Sequence, residues 1–269
     1  MAISGSYDYF KVQAKGARID LNKYFHDPQV ESLHRFRVEI KKIRAVFIQL
    51  EDLSGSNQVK KLHQGIKKIF RKAGVIRELQ LEKTWLEKHR KFDLLRLMQY
   101  EPSLRKADKA FHHNIPKMLD ALKKISRKME GRLIKITQQQ TDEYISKKWQ
   151  SVLRPLLSNI DESHWHETRK GIKQLVYARH WISPDRILQK KVLSIFLSMD
   201  KLQNYIGNWH DLDLLAQKLQ AIEGKTSGHA ILQREQQLAL KRLHIEKENL
   251  AHKIRTGLSK IKILIHGYK

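Results

Sequence analysis

Helix-breaking residues are scarce in this chain of 269 residues, which has only five prolines and twelve glycines. Between them, apolar residues recur at spacings of three and four, in segments rich in the helix-favouring residues Leu, Lys, Gln, Glu and Arg. No segment alternates apolar and polar residues for long enough to predict a strand. The sequence therefore predicts an all-α fold in which the helices pack as bundles.

Turn-forming residues delimit the predicted helices. We predict helices at about 27–53, from a break at 54–57 to about 74, and then at about 75–100, 102–140, 142–160, 163–181, 185–206, 209–222 and 229–265. Asp27 is the predicted N-cap of the first of these helices, with Pro28 in its first turn, and Ser163 is a second predicted cap. The polar run at 138–141 is the predicted boundary between two halves, at about 27–140 and 141–269.

The chain is strongly basic, because 53 Lys and Arg residues outnumber 28 Asp and Glu residues and give a formal net charge of +25. A field of this size destabilises the compact chain through self-repulsion, and a bound polyanion would relieve that repulsion. Nucleic acid, an acidic membrane surface, inorganic polyphosphate and an acidic protein all fit, and charge alone does not choose among them.

Several kinds of protein are excluded or disfavoured by what the sequence lacks. There is no cysteine, which excludes disulfides and thiol catalysis and leaves the redox compartment open. No apolar run approaches the roughly 18 residues of a membrane span, and the first ten residues do not resemble a signal peptide. We therefore expect a soluble protein of the cytoplasm.

Two segments of the chain repeat one basic motif, His-x-x-Arg-x-x-x-Lys. The matching residues are His34, Arg37 and Lys41 in the first copy and His166, Arg169 and Lys173 in the second. About forty residues after each copy, the segments 73–79 and 206–212 share a glycine, a basic residue, an acidic residue and a leucine in register. The sequence therefore indicates an internal duplication.

Helical geometry places the cations of the first copy on one edge of a helix. At about 100° per residue, His34, Arg37, Lys41 and Arg44 fall within a sector of roughly 80°, which we call the first stripe. Apolar residues fill the adjoining sector, and they are Phe36, Ile40, Ile43, Phe47 and Leu50. The second stripe is His166, Arg169 and Lys173, with His180 as a candidate extension. Tyr177 is the only aromatic residue that we predict near a stripe.

Like charges three and four residues apart cost an isolated helix about 0.2–0.5 kcal/mol per pair, so something anionic is expected to offset them. One alternative is structural, with the cations paired to Glu39, Glu78, Asp211 or Asp213. The other is a ligand, because Arg and Lys bind phosphate oxygens and His becomes more cationic beside anions. No three residues have the spacing of a metal site, and we find no paired carboxylates and no phosphate-binding loop, so we predict no enzyme activity, metal or cofactor.

The duplicated basic motif and the glycine element that follows each copy resemble the CHAD family, the conserved-histidine α-helical domain. This resemblance covers nearly the whole chain and implies one domain over 1–269, built as two pseudo-symmetric helical bundles around a basic central groove or pore. It implies binding of inorganic polyphosphate without chemistry. The residues carried over are His34, Arg37, Lys41, Lys42, Arg44, His166, Arg169, Lys170 and Lys173.

The sequence departs from the duplicated pattern at two positions. Val176 stands where the first copy has Arg44, so the second stripe is one cation shorter, and His210 replaces Arg77, which puts in doubt a second salt bridge of the kind that Arg77 and Glu78 would form. The Glu-x-Glu-x-Lys strand of the triphosphate-tunnel domain that often accompanies this family is absent, so the resemblance does not carry its hydrolytic activity.

Polyphosphate binding is the leading functional hypothesis, and the resemblance would also allow association with polyphosphate granules. Binding of nucleic acid, as a weaker polyanion, is the alternative, because the same cations would neutralise DNA or RNA phosphates. Binders of single strands stack bases on exposed aromatic rings, whereas Phe36 and Phe47 fall on the predicted apolar face. A phosphohydrolase is the third hypothesis, and it predicts release of phosphate with a divalent ion.

Overall fold

The computed structural model describes residues 5–158, 160–182, 190–222 and 229–266, and within these ranges the chain is almost entirely helical with no β-strand. The all-α prediction is therefore confirmed. The α-helices are α1 (Gly5–His26), α2 (Val30–Ser54), α3 (Asn57–Lys88), α4 (Phe92–Leu97), α5 (Tyr100–Leu133), α6 (Gln138–Leu157), α7 (Trp165–Ala178), α8 (Lys190–Gln220) and α9 (Ala230–His266). Two short 3-10 helices, Glu162–His164 and Arg179–Trp181, flank α7.

The start of α2 differs from the prediction, whereas its end agrees with it. The N-cap position is held by Gln29 in an extended conformation, not by Asp27. Asp27 instead closes the end of α1, since its backbone N–H donates to the carbonyl of Lys23 at 2.8 Å. At the other end, Gly55 adopts the left-handed conformation with φ 60° and donates its N–H to Glu51, which ends the helix as expected of a glycine at this position.

Two predicted breaks are wrong, because glycine lies inside a continuous helix in both places. Gly74 lies in the middle of α3, and Gly207 lies in the middle of α8. The predicted helix start at residue 185 lies outside the described residues. A glycine inside a helix lowers the stability of that helix by about 1 kcal/mol relative to alanine. We therefore expect tertiary packing to explain why glycine occurs at these two positions.

The remaining differences concern the middle of the chain. Helix α5 ends at Leu133, and the polar run at 138–141 forms the first turn of α6, so the interruption lies at 134–137. Helix α4 and the turns around it interrupt the predicted helix at 75–100. Pro116 lies within α5, inside the range of the helix predicted at about 102–140. No predicted helix covers α1.

The chain divides into two compact units. Unit 1 consists of Met1–Lys83, Gln99–Ser146 and Tyr177–Ser183, and unit 2 consists of Thr84–Met98, Lys147–Val176 and Pro184–Lys269.

Unit 1 is built around α1, which packs against α2 and α5 and against the 3-10 helix Arg179–Trp181. Its core is rich in aromatic side chains that are fully buried, among them Phe10, Phe36, Phe47 and Trp181. Each such ring stabilises the fold by about 1.5–3 kcal/mol through burial, so α2 is fixed in place by its apolar face.

Unit 2 is built on α8 and α9, which pack along each other, and α4 also packs on α9. Its core includes Trp165, whose ring meets that of Trp209 edge-on at 5.2 Å between centroids. Glu246 on α9 accepts hydrogen bonds from the Trp85 indole and the His89 imidazole, both at 3.0 Å. Because Trp165 is buried in this core, it fixes the start of α7, one residue before the second stripe begins.

Among the described residues, none of the helices contains a stretch that is both long enough and apolar enough to cross a membrane.

Candidate anion-binding site

The first stripe lies along the edge of the unit 1 core. His34, Arg37, Lys41 and Arg44 are all half-buried, whereas Arg35 on the same helix is exposed. The apolar residues of the adjoining sector are buried, with exposed fractions of 0–2 % for Phe36, Ile40, Ile43, Phe47 and Leu50. The predicted core face of α2 is therefore confirmed, and the stripe cations are partly withdrawn from water.

One aromatic ring of α3 contacts three cations of this stripe. The half-buried ring of Phe70 lies 4.3 Å from the guanidinium carbon of Arg37, 5.0 Å from that of Arg44 and 5.9 Å from the ammonium of Lys41. Cations within about 6 Å of a ring centroid are attracted by its electron-rich face. The prediction that Tyr177 is the only aromatic near a stripe is therefore wrong.

The guanidinium of Arg37 is also held at one place on α3, formed by the Phe70 carbonyl and the open space at Gly74, which we call an arginine seat. Its Nη1 donates to the backbone carbonyl of Phe70 at 3.2 Å. A Cβ atom on Gly74, one turn further along α3, would lie 2.9 Å from the same nitrogen, closer than real Cβ contacts allow. The glycine inside α3 therefore makes room for the arginine.

The same seat recurs in unit 2, around Arg169 of the second stripe. The Nε of Arg169 donates to the carbonyl of Gln203 at 3.2 Å. A Cβ on Gly207 would lie 2.6 Å from Nη2 of Arg169. In both units the arginine bonds to the carbonyl four residues before the glycine. The repeated glycine element seen in the sequence is thus half of an arginine seat, a role that its spacing alone does not reveal.

The two stripes differ in the residues around the arginine. Val176, which stands where the first copy has Arg44, is 5 % exposed and belongs to the unit 2 core. Gln203 stands where α3 has Phe70, so the seat of Arg169 has an amide side chain in place of the ring. Arg169 and Lys173 are half-buried, and His166 is exposed. The first stripe consequently has the denser group of cations.

His34 lies among charged groups that hold its pKa below the ordinary histidine value. Burial is the largest cause, followed by the positive charge of Arg77, with Lys41 and Arg37 acting in the same sense and Glu31 opposing them. The imidazole therefore favours the neutral form at neutral pH. Arg77, the basic residue of the first glycine element, thus lies beside His34, the histidine of the first stripe.

His166 has the corresponding neighbour in unit 2. Its ring lies 5.2 Å from that of His210, the residue that replaces Arg77 in the second element. Although the side chain is largely exposed, the loss of some surrounding water lowers its pKa, and Lys170, His210 and Arg169 add to this effect while Glu167 opposes it. A negative charge arriving at either histidine would raise its pKa again.

Lys42 and Lys170, the two predicted site residues outside the stripes, are engaged in ion pairs on their own helices. Lys42 pairs with Glu39 at 3.0 Å, and Lys170 pairs with Glu167 at 2.7 Å. For Lys42 this is the pairing that the structural alternative predicts. The Lys170–Glu167 pair is exposed and therefore weak, so an anionic ligand can compete for Lys170. The Lys42–Glu39 pair is half-buried.

Two predictions about the second stripe are wrong. Ser163 is not a helix cap, because Asp161 holds the N-cap position of the short 3-10 helix and its side chain accepts from the N–H of His164. His180 does not extend the stripe, because α7 ends at Ala178. His180 belongs to unit 1, where its ring stacks on Tyr9 at 5.7 Å.

Within the described ranges, no three His, Asp or Glu side chains are grouped closely enough to hold a metal ion.

The fold and these two seats define an all-helical protein with a duplicated basic helix. The family model of the CHAD domain matches residues 13–220, so the chain belongs to the CHAD family. None of the curated proteins is significantly similar to it in sequence.

Two solved structures share the fold at low sequence identity. The crystal structure of the CHAD domain from the plant Ricinus communis has a TM-score of 0.70 and 15 % identity, and the match covers 96 % of this chain and 93 % of that one. PptA from Streptomyces chartreusis has a TM-score of 0.64 and 12 % identity, with 96 % of this chain and 100 % of that one covered.

Proposed function

We propose that this protein binds inorganic polyphosphate through the two stripes and makes or breaks no bond in it. The observation that carries the proposal is the arginine seat, found once in each unit, which holds Arg37 and Arg169 against a helix backbone. A fixed guanidinium loses less conformational freedom when it binds phosphate oxygens, so the seats favour binding of an anion. Membership of the CHAD family supports the same ligand.

The arrangement of aromatic rings favours this ligand over nucleic acid. Phe36 and Phe47 are fully buried, and Phe70 has cations around its ring. Proteins that bind single strands without sequence preference stack bases on accessible rings, whereas Phe36 and Phe47 are buried and the half-buried ring of Phe70 already contacts three cations. An anion without bases needs only the cations.

A competition experiment tests this choice of ligand. Labelled long-chain polyphosphate bound to the protein at fixed salt is titrated with unlabelled polyphosphate, double-stranded DNA or RNA at equal phosphate concentration. We expect unlabelled polyphosphate to displace the label and both nucleic acids to displace much less of it. Equal displacement by DNA or RNA would contradict the proposal and favour a nucleic-acid binder.

The absence of chemistry is tested separately. Long-chain polyphosphate is incubated with the protein and Mg²⁺ or Mn²⁺, and free phosphate and chain length are measured over time. We expect neither to change beyond a protein-free sample. Release of phosphate in proportion to protein concentration would show a phosphohydrolase instead.

The affinity for polyphosphate is expected to rise as the pH falls from 7.5 to about 5.5. In the free protein the pKa values of His34 and His166 are lowered, so both histidines favour the neutral form at the upper pH. Bound phosphate raises these pKa values, so binding takes up protons and is favoured at lower pH. If one pKa rises by about one unit, the affinity rises by up to about tenfold across this window.

The variant H34Q/H166Q should flatten this pH dependence, measured as affinity for long-chain polyphosphate, in which internal phosphates stay ionised. Without ligand, the stability of the wild-type protein should fall as the pH falls below about 6.5. A histidine whose pKa is lowered in the folded state takes up its proton more readily in the unfolded chain, so protonation favours unfolding. A pH dependence that is the same in both proteins would exclude these two histidines from the site.

A further inference from the structure

We propose that Phe70 is a positioning residue whose ring holds Arg37, Lys41 and Arg44 of α2 close together. We call this group of three cations the focus, and it selects anions of high charge density. This inference rests on the proposed function, because it concerns how the first stripe recognises its anion. Phe70 lies outside the repeated basic motif, and it contacts the stripe from a different helix, α3.

The geometry of the focus follows from the ring distances. Arg37 and Arg44 are seven residues apart, so their Cα atoms are separated by about 10 Å along α2. Their guanidinium carbons lie 4.3 Å and 5.0 Å from the same ring centroid, so these carbons can be no further apart than about 9 Å. Lys41 adds a third cation at 5.9 Å from that centroid.

An aromatic ring is well suited to hold like charges together. Each cation is attracted by the ring, whereas the three cations repel one another, so the attraction offsets part of the cost of their proximity. A carboxylate in the same place would neutralise the focus. An aliphatic side chain would fill the space without attracting the cations. Phe70 therefore attracts the cations without adding a negative charge of its own.

Arg44 supplies a second observation. Its Nε is buried and has no hydrogen-bond partner among the described residues. Its guanidinium carbon lies 5.0 Å from the Phe70 ring centroid without a hydrogen bond from Nε, whereas the guanidinium of Arg37 also bonds to the Phe70 carbonyl. Loss of the ring should therefore release Arg44 more completely than Arg37.

The ligand that such a focus favours is one with several negative charges close together. Successive phosphates of inorganic polyphosphate share a bridging oxygen, whereas those of nucleic acid are separated by a sugar. Three cations around one ring can therefore pair with more phosphate charges at once on a polyphosphate chain than on a single DNA strand. In unit 2, Gln203 stands in place of the ring and Val176 in place of Arg44, so we expect the first stripe to bind the anion more strongly than the second.

The test compares F70L with F70Y and with the matched control F25L. Phe25 is also a half-buried phenylalanine of unit 1, but its ring stacks on His112. Affinities for long-chain polyphosphate and for an oligothymidylate are measured at several salt concentrations, together with thermal stability. F70L should weaken polyphosphate binding about tenfold, as expected for loss of about two cation–π contacts, and reduce its salt dependence. Oligothymidylate binding should change less than threefold.

The controls distinguish positioning from packing. F70Y keeps the ring and should bind polyphosphate within about twofold of wild type. F25L should bind like wild type even where its thermal stability falls as much as that of F70L. If F70L binds polyphosphate as well as wild type does, or loses both ligands equally, the inference is overturned. A wild-type protein that does not bind polyphosphate would instead contradict the proposed function, and this inference with it.

Discussion

Replacing Arg37, Lys41, Arg169 and Lys173 with glutamine in one variant is expected to abolish measurable binding of long-chain polyphosphate at physiological salt. Each hydrogen bond to a charged group contributes about 1.5–3 kcal/mol, so four lost cations should weaken binding by at least three orders of magnitude. Thermal stability should change little. The bonds from Arg37 to the Phe70 carbonyl and from Arg169 to the Gln203 carbonyl are lost, but repulsion within the stripes is relieved.

The matched control removes four exposed lysines of α5, namely Lys109, Lys117, Lys124 and Lys128. Both variants lose the same four charges from the net charge of +25. The control should weaken binding by less than about tenfold, because these lysines belong to neither stripe and salt screens exposed charges. Equal losses in the two variants would mean that polyphosphate senses only the overall charge. An unfolded stripe variant would mean that the stripes serve the fold.

The helical fold and the first stripe could be predicted from sequence because both depend on local periodicity. The apolar residues at Phe36, Ile40 and Phe47 follow the helical repeat, and burial confirms their face. The cations fall beside that face by the same geometry. The scarcity of proline and glycine disfavours structures other than helix, and it can be read from the sequence without knowledge of tertiary contacts.

Helix ends were predicted less well, because tertiary contacts decide what an interior glycine means. Gly74 and Gly207 predict breaks when only their helix propensity is considered. In the structure each accommodates an arginine from another helix, and the helix continues. The fact that both glycines occur at matching offsets after the basic motif was a usable signal, since two registered glycines are poorly explained as turns.

Phe70 was missed because its contact with the stripe joins two helices. The sequence places it four residues before Gly74, on the same face of α3, and this spacing would have suggested a shared neighbour. What the sequence could not provide is the identity of that neighbour, which depends on how α2 packs against α3. For the same reason, it could not separate His180 from the second stripe, since the end of α7 and the stacking on Tyr9 are tertiary features.

The seats themselves are tested by replacing their glycines with alanine. In G74A the new Cβ would lie 2.9 Å from Nη1 of Arg37, and in G207A it would lie 2.6 Å from Nη2 of Arg169. The closest atoms belong to the end of a flexible side chain, so the arginine is expected to move and the helix to remain. Alanine favours an interior helix position by about 1 kcal/mol over glycine, which offsets the lost hydrogen bond.

Each single glycine variant is therefore expected to fold with nearly unchanged thermal stability and to bind polyphosphate about tenfold more weakly, as for the loss of one charged hydrogen bond. The double variant should lose about a hundredfold if the two seats act independently. G131A is the matched control, because Gly131 lies in α5 and a Cβ there meets nothing within 4 Å. It should bind like wild type.

These variants separate the position of the arginines from their charge, since no charged residue is changed. Unaltered binding in the double variant, with both arginines displaced in its crystal structure, would show that the seats are not needed and that the cations act from any position. Weakened binding at constant net charge would instead require that the guanidinium groups be held in place. The interior glycines would then be part of the binding site, although neither contacts the ligand.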